Sequence, residues 1–350
     1  MQTIKIGKHF IGSNYPPFVI AEMSGNHNQS LERAFQLVDA AVAAGAHALK
    51  LQTASPDGLT LNVGSPDFVI SDPDSLWYGK NLYSLYQEAV TPWEWHAQLF
   101  DYCRVHGIIV FSSPFELKAV DLLEDLDAPC YKIASFELVD LQLVQRVAQT
   151  GKPMIMSTGM ASLSDIELAV TTARNEGNDQ IILLKCTSTY PATPEDSNLI
   201  TIPHLRAAFG TEIGLSDHTM GVGVSCAAVA FGATVIEKHF TLCRDDGGVD
   251  AAFSLEPHEL KQLVIETESA WQSRGTVRYG GSDREQTSLK YRRSIYVSND
   301  IAEGEVLTHH NIRVVRPGYG LHPKFLDMVL GRRVNRNIKK GTAMTWEFIG

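Results

Sequence analysis

The residues best placed to do chemistry lie in residues 214–242, GLSDHTMGVGVSCAAVAFGATVIEKHFTL. The stretch reads as strand, loop, small-residue helix (residues 222–231) and strand. Ser216 and His218 close the first strand; Glu237 and His239 close the second. Alternation puts Ser216 with His218, and Glu237 with His239, on one face, and turns Lys238 to the other. A lone buried histidine is usually a satisfied core residue. Two on the ends of adjacent parallel strands point at one mouth and form a candidate metal or acid–base pair. Two imidazoles completed by water and substrate oxygens suit Mn²⁺, Mg²⁺ or Co²⁺, with Mn²⁺ the expectation; no thiolate stands at a strand end to favour zinc.

The rest of the chain must build that mouth. FVIAEMS begins a series of short Ile- and Val-rich runs alternating with amphipathic helical patterns, from ALKLQT through IIVFSSP, CYKIAS, KPMIMSTG and IILLKCTSTYP to EIGLSDHT and TVIEKHF. Such alternation means parallel strands buried on both faces. Eight units in about 270 residues predict a closed (β/α)₈ TIM barrel, a fold of about 250 residues. The competitor is a doubly wound open sheet, which would carry G-x-G-x-x-G after its first strand; here the chain reads GNHN.

Barrel enzymes work at the strand C-termini. Nearly every strand here ends in a residue that binds or transfers something: Glu22, Lys50 and Gln52, Ser112 and Ser113, Lys132, Ser135 and Glu137, Ser157, Lys185, Ser188 and Tyr190, then the histidine stretch. Lys50 and Lys132 on the inner face need anionic partners. Glu22 and Glu237 could satisfy them internally; a bound phosphate flanked by serines is the functional alternative. An excursion at residues 54–88 carries Trp77, Tyr78, Tyr83 and Tyr86 and is expected either to pack on the rim or to wall the substrate.

The chain has 350 residues, a formal net charge of -10 and scattered cysteines. An acidic balance argues against nucleic-acid binding. The absence of a signal-type h-region and of long apolar runs leads to the expectation of a cytoplasmic protein with no membrane partner, its thiols mostly buried. Residues 1–274 are expected to form the barrel, 275–291 a polar linker, and 292–350 a small β-rich module, basic where the barrel is acidic.

Motifs in this order, FVIAEMSGNHN, ALKLQT, FSSPF, YKIASFE, MSTGM, SDHT, EKHFTL and FSLEP, resemble the N-acetylneuraminate (sialic acid) synthase family. The tail, RRSIYV to GRRV, resembles that family's C-terminal antifreeze-like (SAF) domain. GNHNQS, LWYGKNLYSLYQEAVTPWEWH and GGVDAAFSLEP resemble the family's pseudaminic acid branch; Ala251 after Asp250 departs from the sialic acid pattern. The resemblance implies metal-dependent condensation of phosphoenolpyruvate with an amino-sugar aldehyde. For this branch the sugar is 2,4-diacetamido-2,4,6-trideoxy-L-altrose, with N-acetylneuraminate or legionaminic acid synthesis as the alternative. It implies that His218 and His239 bind the metal. Lys50, Ser113, Lys132, Ser135, Ser188 and Ser216 would surround phosphoenolpyruvate, with Ser188 where sialic acid synthases commonly have Asn. Glu22, Gln52, Tyr190 and Asp250 would line the sugar, and Glu137 would handle the proton of the water step. It also implies a domain-swapped homodimer in which Arg316 reaches the sugar's acyl group. A Schiff-base aldolase on Lys132 and a non-catalytic sugar-binding protein are the readings from other classes.

Overall fold

The structure is a computed structural model, and it describes residues 3–350. It divides into two compact units, Met1–Gly275 and Thr276–Gly350. In the first, a hairpin of β1 (Ile4–Ile6) and β2 (His9–Ile11) precedes the barrel strands. These are β3 (Phe18–Glu22), β4 (Ala48–Thr53), β5 (Ile109–Pro114), β6 (Tyr131–Ile133), β7 (Met154–Ser157), β8 (Ile181–Cys186), β9 (Glu212–Ser216) and β10 (Val235–His239). They pair in chain order, all parallel, and β10 closes on β3. The (β/α)₈ expectation therefore holds.

Register decides which side chains share the mouth. Glu22 lies beside both Lys50 and His239, Gln52 beside Ser113, and Ser216 beside Glu237. Below this polar layer the lumen is solid. Phe18, Ile20, Phe111, Ile155, Ile182 and Val235 fill it, and Ile4, Ile6 and Ile11 of the hairpin plug its N-terminal end. The hairpin was not foreseen: two strands of three residues give no periodic signal. A larger apolar layer seals the helices to the outside of the strands. Helix starts are fixed by caps: Ser30 accepts from the Arg33 N–H, and Ser162 and Asp165 form a reciprocal capping box.

The first barrel strand stops at Glu22, two residues short of expectation. Ser24–His27 then turn as a 3₁₀ helix with Ser24 at φ 47°. The excursion after β4 is ordered, with helices Pro56–Leu59 and Leu82–Ala89. Among the described residues, no helix is long and apolar enough to cross a membrane.

In the second unit, β11 (Ser294–Val297) and β12 (Ile312–Val315) pair antiparallel over a core of Ile295, Val297, Leu307, Ile312, Val334 and Met344. Residues Asp283–Tyr291, within the stretch expected as a linker, form a 3₁₀ helix.

Two histidines set an acid limit on this fold. Burial, chiefly, lowers the pKa of His27 and His47 from the ordinary 6.5 to about 4. His47 Nδ1 already accepts the Val19 N–H at 2.9 Å. A lowered folded-state pKa means that the unfolded chain binds the protons first. Stability is thus held above pH 6.5 and lost as pH falls from there towards 4. Urea titrations at stepped pH should show the midpoint dropping through that window; a flat midpoint would contradict this assignment.

Candidate active site

At the C-terminal mouth of the barrel, four buried charges alternate in a row. The Lys50 ammonium contacts the Glu22 carboxylate and lies 3.9 Å from Glu237 Oε1, and Lys132 Nζ lies 3.5 Å from the same Glu237 oxygen. Burial works against the charge on Lys50, but Glu22 and Glu237 outweigh it and raise its pKa. Burial also opposes ionised Glu237, yet Lys132 and Lys50 hold its pKa below the usual carboxylate value. For Glu22 burial wins over Lys50 and His239, and its pKa is raised. Glu237 is thus the resident anion, and Glu22 is the member of the row that most readily takes up a proton.

His218 and His239 meet across this row with ring centroids 5.3 Å apart. His218 Nδ1 lies 2.8 Å from the Thr187 carbonyl. Donation there fixes the tautomer and leaves Nε2 with its lone pair, the arrangement typical of a metal-binding imidazole. His239 Nδ1 lies 3.5 Å from Asp250 Oδ2 and has no hydrogen-bond partner among the described residues. The Asp250 carboxylate also accepts from the Ser24 hydroxyl. Two free imidazole nitrogens beside carboxylates suit a mid-series divalent cation. Among the described residues, no group of three or more His, Cys, Asp or Glu side chains is arranged around one ion. The histidine pair would therefore leave the remaining coordination positions to water and substrate oxygens. A sulfur does lie nearby, contrary to expectation: Cys186 Sγ is 4.0 Å from His218 Nδ1. It faces the nitrogen committed to Thr187, not the free one.

Serines complete the ring. Ser113 Oγ lies 3.2 Å from Lys50 Nζ, and Ser216 Oγ 3.3 Å from Glu237 Oε1. Ser135 Oγ is 3.3 Å from Cys186 Sγ. Gly159, at φ 46°, lets the loop after β7 press onto this group: a Cβ there would sit 2.5 Å from Ser135 Cβ and 2.9 Å from Ser188 Oγ. Only glycine fits that approach.

Together these residues line a cavity of about 450 Å³, the size of a small-ligand site. Lys50, Gln52, Ser113, Lys132, Ser135, Glu137, Tyr190, Ser216, His218, His239 and Asp250 all open into it. Glu22 sits just beneath, bonded to Gln52. Tyr190 packs against His218 with the ring planes tilted by 48° and the centroids 4.5 Å apart. Burial pushes the Glu137 carboxyl above its usual range, with its own N–H and Lys132 working against it. Its Oε2 has no hydrogen-bond partner among the described residues. Ser188 stands behind the lining, 3.5 Å from Cys186 Sγ. Arg316 belongs to the second unit, where it is exposed.

Alternation also removes candidates. Lys238 points away from the mouth and bonds Asp217 at 3.0 Å, and Asp217 further accepts from Thr219 and Ser225. Ser112 bonds Thr53, and Lys185 bonds Thr187. Ser24 is the member that sequence reasoning passed over, and Glu237 the one whose role it read too narrowly. Ser24 opens a chain turn that no periodicity reveals. Glu237 was read only as a counterion, although its two-residue spacing from His239 placed it in the mouth.

With the geometry known, comparison with other proteins is decisive. The NeuB family model matches residues 37–279 and the SAF domain model residues 292–349. The chain is 44% identical over 330 residues to a pseudaminic acid synthase of Campylobacter jejuni, covering 93% of this chain and 95% of that protein. It is 42% identical over 332 residues to the Helicobacter pylori pseudaminic acid synthase, covering 94% and 97%. The crystal structure of the Leptospira borgpetersenii N-acetylneuraminic acid synthetase superposes with a TM-score of 0.73 at 32% identity, over 82% of this chain and 95% of that one. The barrel with its ring of strand-end chemistry is thus a NeuB barrel, and the chain belongs to the NeuB family, with a SAF domain at its C-terminal end.

Proposed function

We propose that this chain condenses phosphoenolpyruvate with 2,4-diacetamido-2,4,6-trideoxy-L-altrose and water, giving pseudaminic acid and phosphate. The observation that carries the reading is a single cavity holding two histidines, two buried lysines and several serines against a largely apolar wall. Similarity to two pseudaminic acid synthases over nearly their whole lengths supports the choice of sugar.

Charge balance supports the rest. The two lysines are already matched by Glu22 and Glu237. Phosphoenolpyruvate therefore needs further positive charge, or a proton on Glu22, before it can settle beside them. A divalent metal held by His218 and His239, Mn²⁺ in this reading with Mg²⁺ and Co²⁺ as alternatives, supplies that charge and Lewis acidity towards the aldehyde oxygen. Lys50, Lys132, Ser113, Ser135 and Ser216 hold the phosphate and carboxylate, with Ser188 supporting Ser135 from behind. Gln52, Tyr190 and Asp250 orient the sugar, with Glu22 acting on it through Gln52. C3 of phosphoenolpyruvate bonds to the aldehyde carbon, whose oxygen takes a proton and becomes a hydroxyl. Water adds to the electron-poor C2 and gives its proton to Glu137. The C2 hydroxyl then gives its proton to the bridging oxygen as the bond from C2 to that oxygen breaks; phosphate leaves with the electron pair, C2 becomes a ketone, and the proton on Glu137 balances the one taken up by the aldehyde oxygen. In the same reading the enzyme is a cytoplasmic, domain-swapped homodimer. Arg316 of one protomer reaches the sugar in its partner's barrel.

Glu137 must be ionised to accept the proton. Because burial raises its pKa, kcat should fall on the acid side at a pH above the ordinary carboxylate range. Glu137→Gln should lower kcat by about 10²–10³ and remove that limb; an unchanged pH profile would reassign the base. The reaction itself is tested with phosphoenolpyruvate carrying ¹⁸O at the bridging position. The label should leave in phosphate alongside a nine-carbon keto acid. Label kept in the product, or a protein–pyruvate adduct trapped by borohydride without metal, would overturn this chemistry.

A further inference from the structure

The cavity has two unlike halves. One is the charged ring at the strand ends. The other comes mainly from the excursion after β4 and the two residues that follow it: Leu59, Ile70, Leu82, Leu85, Ala89 and Val90 line it. Leu82, Leu85 and Ala89 recur at helical spacing, so one face of the helix Leu82–Ala89 is turned into the site. Its polar groups are few: the Ser75 hydroxyl accepts the Trp77 backbone N–H at 3.2 Å, and the Tyr86 hydroxyl lies towards Glu137, on the charged side. The indole N–H of Trp77 is committed to the Val249 carbonyl at 2.9 Å.

This wall is pinned rather than loose. Gln29 Nε2 donates to the carbonyls of Glu88 and Val90 at 3.0 Å each, clamping the helix end to the loop after β3. Trp93 Nε1 holds the Ala54 carbonyl at 2.8 Å. Gly25 packs so closely that a Cβ there would meet Ala89 Cα at 3.1 Å and Val249 Cβ at 3.3 Å. The wall is thus tied to the two loops that carry Ser24 and Asp250, and so to the histidine pair.

We propose that this helix face is the specificity element, and that it selects an acceptor sugar whose far end is a methyl group rather than a hydroxymethyl. The inference rests on the reaction proposed above. The aldehyde carbon must face the charged ring, so the other end of the six-carbon chain faces Leu59, Leu82 and Leu85. A methyl against these leucines is desolvated at no cost, whereas a hydroxyl there loses water and finds no polar side chain among them. An apolar surface rejects an added hydroxyl only moderately, by about 10²-fold at most. The wall therefore sets a preference, not an absolute filter.

The test compares kcat/KM of the full-length enzyme for 2,4-diacetamido-2,4,6-trideoxy-L-altrose and for its 6-hydroxy counterpart, with saturating phosphoenolpyruvate and Mn²⁺. The wild type should favour the 6-deoxy sugar by about 10–100-fold. Leu82→Ser, and separately Leu59→Ser, should each narrow that ratio several-fold by raising KM for the 6-deoxy sugar at nearly constant kcat. Leu82→Met should keep it. Equal use of both sugars by the wild type overturns the inference while leaving the proposed reaction standing. So does a ratio that neither serine variant changes. No turnover of the 6-deoxy sugar, with turnover of a hydroxylated one, would instead overturn the reaction proposed above.

Discussion

Replacing His239 by alanine is expected to abolish turnover while the barrel stays folded. The ring closes β10 and projects into the cavity, not into the packed lumen below, which is filled by residues such as Ile20, Phe111 and Val235. Its loss opens space in a solvent-reachable site, so melting should shift little. Its partner His218 keeps the Thr187 carbonyl at 2.8 Å, but a single imidazole is a weak anchor. Mn²⁺ affinity, read directly by electron paramagnetic resonance, should fall by more than about 10²-fold, beyond the 10–100-fold typical of losing a supporting partner. Loss of the charge stabilisation that a metal supplies amounts to several kcal/mol, so kcat should fall by at least about 10³. Near-normal turnover, or unchanged Mn²⁺ binding, would refute the assignment of the pair.

Lys50→Met is expected to damage both stability and activity. Lys50 is 3% exposed and is the cation between two buried carboxylates, Glu22 and Glu237. Removing one partner of such a group strands the others, at a cost of about 3–5 kcal/mol. Glu22 lies above the usual carboxylate range already, so it should respond by taking up a proton. The double variant Lys50→Met with Glu22→Gln removes one stranded charge. It should regain much of the lost stability, measured by urea denaturation, yet stay inactive because the anion has lost its lysine. Restored stability with restored activity would show that the row serves the fold alone. No loss of stability in the single variant would contradict the pairing itself.

The barrel was legible because each strand is a short apolar run followed by an amphipathic helix, a pattern that survives without tertiary knowledge. The hairpin Ile4–Ile11 was not, since three-residue strands acquire meaning only when Ile4 and Ile6 plug the lumen. In the site, Lys50 with Gln52, and Glu237 with His239, could be found by two-residue alternation at strand ends. Ser24 could not, because it reaches Asp250 across 226 positions from a left-handed turn. Cys186 looked like one more core thiol, and only the fold sets it beside Ser135 and His218. The excursion showed its aromatics in the sequence. Which of its faces meets the site depends on Gln29 and Val249, residues far away along the chain.

The most direct test of the whole account is phosphate release from phosphoenolpyruvate by the purified full-length protein with Mn²⁺, using each sugar in turn. The account predicts rapid release with 2,4-diacetamido-2,4,6-trideoxy-L-altrose, and much slower release with N-acetylmannosamine and with the corresponding legionaminic acid precursor. Turnover confined to N-acetylmannosamine or to the legionaminic precursor would contradict it.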